Sequence, residues 1–272
     1  MKRHLLLALA ITAMLRATPA PAQSAVSATI DIAHTSAPIS PYIYGQFIEH
    51  IGTLIEHGIW AKMLDDRKFF SRVTSAPPPP AQRRGPAQRW VPIGPDASVV
   101  MDSAAAYAGA WAPRITLAGV AERGIAQSGL AVRAGRAYVG RIVIAGDPRG
   151  NVVVRLVWGA NAADRQTSAL APLSTGYATL LLNFTARANS DSARIEIVGT
   201  GAGAFRVGAV SLMPANNVEG FRREIIDGLK QLRSGIYRFP GGNFLSGYEW
   251  RDAIGDRDRR LPRFDYAWRM PQ

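Results

Sequence analysis

The chain has no cysteine. That excludes disulfides, a thiol nucleophile and any cysteine-ligated metal, and it leaves stability to the core. Histidine is scarce too, four in 272 residues. His34, His50 and His57 lack the short i, i+4 helical spacing of the common zinc motif, so neither a metal site nor a cofactor is expected. After the first residues no apolar run is long enough for a membrane helix. Acidic residues are outnumbered, 20 against 32 Lys and Arg, for a net charge of +12. The arginines are scattered, however, and the one local cluster, "RDRRLPRF" from Arg257 to Phe264, has acids nearby. No basic stripe marks a nucleic-acid partner, and the charge reads as solvated surface.

What is present is the composition of a folded protein: 47% hydrophobic, 19% charged, 26 glycines and 18 prolines. The chain opens "MKRHLLLALAITAMLRATPAPAQ". Lys2 and Arg3 precede an apolar core from Leu5 to Leu15, and Ala20-Pro21-Ala22 supplies small residues before Gln23. Residues 1–22 therefore read as a cleaved secretory signal, with a periplasmic or secreted destination and no membrane contact after cleavage. Its removal takes three positive charges and leaves +9.

Three regions follow. Residues 23–75 begin with a strand-like "ATIDIA" at Ala28–Ala33 and turn around Pro38–Pro41. A buried strand is expected over Tyr42–Phe47, and a short helix or turn over Trp60–Leu64. Residues 76–89 hold four consecutive prolines, Pro77–Pro80, and read as a stiff exposed linker. From Trp90 to Pro214 short β-rich runs recur, such as "YVGRIVIAG", "NVVVRLVWG" and "ARIEIVG", punctuated by Gly, Asn, Asp and Pro. That spacing predicts an antiparallel β-sandwich of the jelly-roll kind. Within it "GTGAGAF", Gly199–Phe205, lacks the helix a phosphate loop needs and reads as a hairpin connection. Trp90, Trp111 and Trp158 are either core residues, the commoner fate, or a sugar-stacking platform. In residues 215–272 the period changes. Phe221, Ile225, Leu229 and Leu232 share a helical face, with Asn217 as N-cap, Glu219 in the first turn and Gly235 at the close. The strand "IYRFP" comes next.

Functional residues of α/β folds sit at the carboxyl ends of strands. One such end delivers Glu49 and His50; the other, in "YRFPGGNFLSGYEW" (Tyr237–Trp250), delivers Arg238 and Asn243 around a Pro-Gly-Gly break. Glu49 and Arg238 read equally as a structural ion pair or as parts of a ligand site.

"ISPYIYGQFIEHIGTLIEHGIWAKMLDDRKFF" and "NNVEGFRREIIDGLKQLRSGIYRFPGGNFLSGYEWRDAIGDRDRR" resemble the start of the catalytic domain of family 51 glycoside hydrolases, the α-L-arabinofuranosidases. The resemblance implies a mixed fold, an incomplete (β/α)8 barrel represented by its first two strands and interrupted by the antiparallel sandwich. The sandwich itself resembles a cellulase-type carbohydrate-binding module. By motif, Glu49, Arg238 and Asn243 match residues lining the pocket for a terminal arabinofuranose, and Trp250 resembles a wall of that cleft. The implied partner is an arabinose-containing polysaccharide or oligosaccharide, and a homo-oligomer is compatible with a full-length chain. The family's acid/base and nucleophilic glutamates fall beyond Gln272, so no catalytic residue is expected here and the chain alone is expected to be inactive. Glu249 is the only other carboxylate in the motif, and nothing in the family pattern makes it catalytic. Ile254-Gly255-Asp256 departs from the usual Ile-Gly-Pro. The rival reading is a non-catalytic carbohydrate-binding protein acting through the sandwich.

Overall fold

A computed structural model describes residues 27–77, 89–268 and 270–271. The expected signal, and all of the proline linker except its edges, lie outside the described residues. The chain divides into two units, Met1–Ser40 and Pro41–Gln272. In the first, the strand expected at Ala28–Ala33 does not form, and Ile30 and Ile32 are exposed. Asp31 instead closes a local turn, accepting from the Ala33 amide at 2.9 Å and pairing with His34 at 2.7 Å. A short carboxylate that binds its own following backbone competes with strand formation.

The second unit is built on two five-stranded antiparallel sheets. One runs in the order β2 (Trp90–Ile93), β5 (Gly119–Val132), β10 (Ser190–Gly201), β7 (Gly150–Val157), β8 (Arg165–Ala169). The other is β3 (Val99–Asp102), β4 (Ala112–Thr116), β11 (Ala204–Pro214), β6 (Ala137–Gly146), β9 (Ala178–Thr185). Their inner faces carry the alternating apolar residues, and Ile125, Val154, Ile195, Leu182 and Leu212 are fully buried between them. β10 and β11 lie in different sheets, so the glycine-rich "GTGAGAF" is an arch across the sandwich rather than a hairpin.

The sandwich core extends beyond the sandwich. Leu64, Phe69 and Val73 belong to the same buried cluster. The segment that carries them is pinned by polar bonds. Gln127 of β5, fully buried, accepts from the Asp65 amide and donates to the Asp65 carbonyl, both at 2.9 Å. The Trp90 indole N–H reaches the Asp65 and Asp66 carbonyls, and that of Trp111 reaches the Phe69 carbonyl at 2.9 Å. Trp90 and Trp158 are buried, and Trp111 half-buried, so the three tryptophans serve packing and not an exposed platform.

Outside the sandwich, β1 (Gln46–Phe47) pairs in parallel with β12 (Tyr237–Arg238). A parallel pair needs a crossover. Here the crossover contains the whole sandwich and then one helix, α1 (Arg223–Gln231). The strand expected over Tyr42–Phe47 is shorter and wetter than its residues suggest. Pro41–Tyr44 is a 3₁₀ turn, two residues remain as strand, and Tyr42, Ile43 and Tyr44 are exposed. One turn of π-helix spans Leu54–Ile59, and Trp60–Leu64, expected as helix or turn, is irregular extended chain apart from a single bridge from Trp60 to Phe221. Helix α1 also starts later than Asn217 suggests. The Asn217 side chain accepts from the Gly220 amide at 2.8 Å and closes a separate turn that contains Glu219 at φ 53°. Phe221 thus falls before the helix and stacks on Trp60 at 4.5 Å. A two-stranded β13 (Phe264–Asp265) and β14 (Met270–Pro271) ribbon ends the described chain.

Candidate functional site

The register Gln46↔Tyr237 and Phe47↔Arg238 sets both carboxyl ends of the parallel pair side by side. Backbone bonds continue past the strands, from the Ile48 amide to the Arg238 carbonyl and from the His50 amide to the Pro240 carbonyl, both 2.9 Å. Glu49 and His50 therefore emerge next to the Pro-Gly-Gly break. Gly241 and Gly242 have φ of 53° and 64°, values that disfavour L side chains. Space adds a second reason. A Cβ on Gly241 would overlap the Phe47 ring, and one on Gly242 would overlap the Glu49 carboxylate. The two glycines let the loop close over the end of β1.

Closure brings Asn243 to Glu49, but through the backbone: the Asn243 amide donates to Glu49 Oε1 at 3.1 Å. The Asn243 side chain is left exposed. Arg238 does not pair with a carboxylate among the described residues. Its guanidinium lies over the Phe47 ring, 4.3 Å from the centroid, across the strand pair. Such stacking holds the fork in place while its N–H donors stay available. The ion-pair reading of Glu49 and Arg238 is therefore not what the geometry shows.

His50 is buried, stacked on Phe244 at 4.4 Å, and Phe244 packs on Tyr248 at 4.7 Å. Burial pushes the His50 imidazole below its usual range and outweighs the opposing charge of Asp265. It packs beside the strand ends, against the loop that carries Phe244. Trp250 stands apart: the residue is 60% exposed and its ring carries the Arg251 guanidinium at 5.1 Å. No hydrogen bond or ring contact joins it to Glu49, Arg238 or Asn243 among the described residues. Glu249 accepts from the Arg251 amide at 3.3 Å and pairs with its side chain, so it caps the turn at Trp250–Ala253.

The other histidines have local partners. His57 Nε2 lies 3.2 Å from Asp65 Oδ1, and this bond raises its pKa against the effect of burial. The "RDRR" cluster packs on the sandwich. Buried Asp258 accepts from Arg141 of β6 at 2.5 and 2.9 Å and from Arg67 at 2.8 Å. Burial pushes the Asp258 carboxyl up, but the Arg141 bonds and the two cationic charges prevail and hold it below the usual range. Lys68 donates to the Arg260 carbonyl at 2.5 Å, and Arg259 covers the Tyr107 ring at 3.7 Å.

Polar groups thus gather at the carboxyl ends of two adjacent parallel strands, the place where α/β folds carry their ligand sites. No family model matches the chain. It is 47% identical over 55 residues to an exo-α-(1→6)-L-arabinofuranosidase of Bifidobacterium longum, which is 20% of this chain and 10% of that protein. It is 45% identical over 59 residues to intracellular exo-α-(1→5)-L-arabinofuranosidase 1 of Bacillus subtilis, 22% of this chain and 12% of that one. The matched stretches thus span about a tenth of these curated relatives. An arabinose-bound MgGH51 α-L-arabinofuranosidase superimposes with a TM-score of 0.64 at 18% identity, over 84% of this chain and 39% of that one. The fold is shared, and the chain resembles the family 51 α-L-arabinofuranosidases, which are glycoside hydrolases.

Proposed function

We propose that the chain is the N-terminal portion of an exported α-L-arabinofuranosidase that removes terminal non-reducing arabinofuranosyl residues from hemicellulose or pectin. In this reading β1 and β12 are the first two strands of a (β/α)8 barrel, and the sandwich is an insertion between them. Glu49, Arg238 and Asn243 contribute hydrogen bonds to the terminal sugar, with Trp250 as an outer wall. The observation that carries the reading is the Glu49 carboxylate held by the Asn243 amide at the end of a parallel pair. One oxygen is fixed by the loop, which aims the other for a sugar hydroxyl. Arg238, stacked rather than salt-bridged, keeps its donors for the same ligand.

Retaining hydrolysis requires two carboxyl groups about 5–5.5 Å apart. The resemblance assigns them to later strands, and Glu249 is engaged as a turn cap. Residues 1–272 therefore bind without turning over, because holding ground and transition states equally does not accelerate the reaction. The sandwich-only alternative draws no support from an exposed tryptophan platform, since Trp90 and Trp158 are buried and Trp111 half-buried. Export rests on the N-terminal pattern alone; no helix among the described residues is long and apolar enough to cross a membrane. Sequencing the periplasmic protein from a strain carrying the native leader tests it, with Gln23 expected as the new N-terminus.

The functional test uses a protein extended through the later strands and a nitrophenyl α-L-arabinofuranoside. Glu49→Ala should lower kcat/KM by about tenfold or more, the loss of a charged hydrogen bond. Turnover by residues 1–272 that is abolished by Glu249→Gln would overturn the assignment.

A further inference from the structure

A cavity of about 310 Å³ lies at the seam between the sandwich and helix α1, lined by residues of β5, β6, the π-helical turn and the start of the helix. It does not include Glu49, Arg238 or Asn243. Five cationic side chains reach its wall, against one lining carboxylate, Glu224. Two of them are neutralised locally, Lys62 by Glu56 and Arg133 by Asp191. Arg136, Arg222 and Arg223 are not. Each gives one N–H to a neutral oxygen, at 3.0 Å in every case: Arg136 to Asn216 Oδ1, Arg222 to the Trp60 carbonyl, and Arg223 to the Asn216 carbonyl. None of the three pairs with a carboxylate among the described residues, and a guanidinium has further donors to give.

The helix adds to this positive field. Arg222 is the N-cap of α1 and supplies no side-chain cap, so the positive end of the helix lies among the lining residues Arg222, Arg223 and Glu224. The rest of the lining is mixed, with Met63, Leu130 and Pro214 beside Tyr138, His57 and Asn217. Burial also pushes the Lys62 ammonium down to about 8, the response of a cation in a partly dry site. Arg136, Arg222 and Arg223 line one cavity without a carboxylate partner among the described residues, so an anion there can take up their remaining donors. The volume, at the low end of small-molecule sites, is large for a bare ion and suits a sugar ring. A wall of mixed polar and apolar groups with three guanidinium donors matches a hydroxylated ring with one carboxylate.

We infer that this cavity binds a hexuronate residue, its carboxylate held by Arg136, Arg222 and Arg223. The choice of a sugar acid rests on the carbohydrate reading above, and it would give the protein a preference for acidic, arabinose-bearing polysaccharide. The site is separate from the arabinofuranose pocket, so the two can fail independently.

Isothermal titration of the 272-residue chain at low salt, with digalacturonate, neutral galactobiose, inorganic phosphate and arabinose, tests it. Digalacturonate should bind and galactobiose should not. Arg136→Gln and Arg223→Gln, checked for an unchanged circular dichroism spectrum, should each weaken digalacturonate about tenfold, the value of one charged hydrogen bond. Using both variants guards against a folding defect in either. Glu49→Ala should leave digalacturonate binding intact while removing arabinose binding. The inference is overturned if digalacturonate gives no binding, if galactobiose binds equally, if phosphate binds in its place, or if the arginine variants bind as the parent does. Loss of arabinose binding alone would sink only the pocket at Glu49.

Discussion

The sandwich and the parallel pair are made from similar residues and reach opposite ends of the burial scale. Ile195 and Ile197 of β10 are fully buried because that strand has neighbours on both sides and a second sheet above it. Tyr42, Ile43, Tyr44, Phe47, Ile236 and Phe239, around β1 and β12, are exposed, and α1 buries no residue at all. Hydrophobic sequence creates a core only where topology supplies a second surface. Parallel strands need cover on both faces, and two of them do not provide it for each other. The candidate site stands on the less covered of the two regions. Between the two regions lies a stitched seam, in which Asp258 ties Arg67 and Arg141 together.

The largest effect that would sharpen this contrast comes from cutting the chain. A fragment starting at Trp90 loses Leu64, Phe69 and Val73 from the shared core. At about 1.5–3 kcal/mol each, that loss is comparable with the whole stability of a domain. A fragment of residues 61–214 should unfold cooperatively in urea, whereas 90–214 should melt far lower or not fold. Equal midpoints would show that the segment 61–75 is only draped on the sandwich.

Point substitutions should separate the regions next. Phe205→Ala, deep between the sheets, should cost about 3–5 kcal/mol. Phe239→Ala, at a site 54% exposed, should stay within about 0.5 kcal/mol. Similar costs in denaturant titrations would break the comparison. Asp258→Asn should cost about 3 kcal/mol by leaving two arginines without their shared carboxylate. Because the folded Asp258 pKa is depressed, its contribution is complete above the unfolded value, about 3.9, and is lost as pH falls through the lower folded value. The parent should therefore lose stability on acidification more steeply than the variant.

The smallest effect concerns His57. Its pKa is raised by the Asp65 bond, so its contribution is complete below the unfolded value, about 6.5, and is lost as pH rises through the higher folded one. A shallow fall in melting temperature above neutrality, absent in His57→Gln, checks it.

Sandwich strands such as "ARIEIVG" were legible because alternation and β-branching act within one strand. What depends on distant partners was not. Arg67 and Arg141 lie 191 and 117 residues from Asp258, and nothing local marks that trio. Gln127 likewise looks like an ordinary polar strand residue until Asp65 faces it. The helix start was misplaced because Asn217 caps a tight turn as readily as a helix, and "ATIDIA" had the composition of a strand without a partner to pair with. At the candidate site, the motif marked Glu49 and Arg238, while the Phe47 ring beneath the arginine is visible only in the register of β1 and β12.

Native-state hydrogen exchange on the 272-residue chain tests the contrast most directly. The amides of Ile195, Ile197 and Val198, bonded between β5 and β7, should exchange only through global unfolding. Those of Ile48 and His50, bonded to Arg238 and Pro240, should exchange orders of magnitude faster through local opening, without loss of the sandwich. Equal protection at both sets would contradict the account and make the parallel pair part of the same cooperative core.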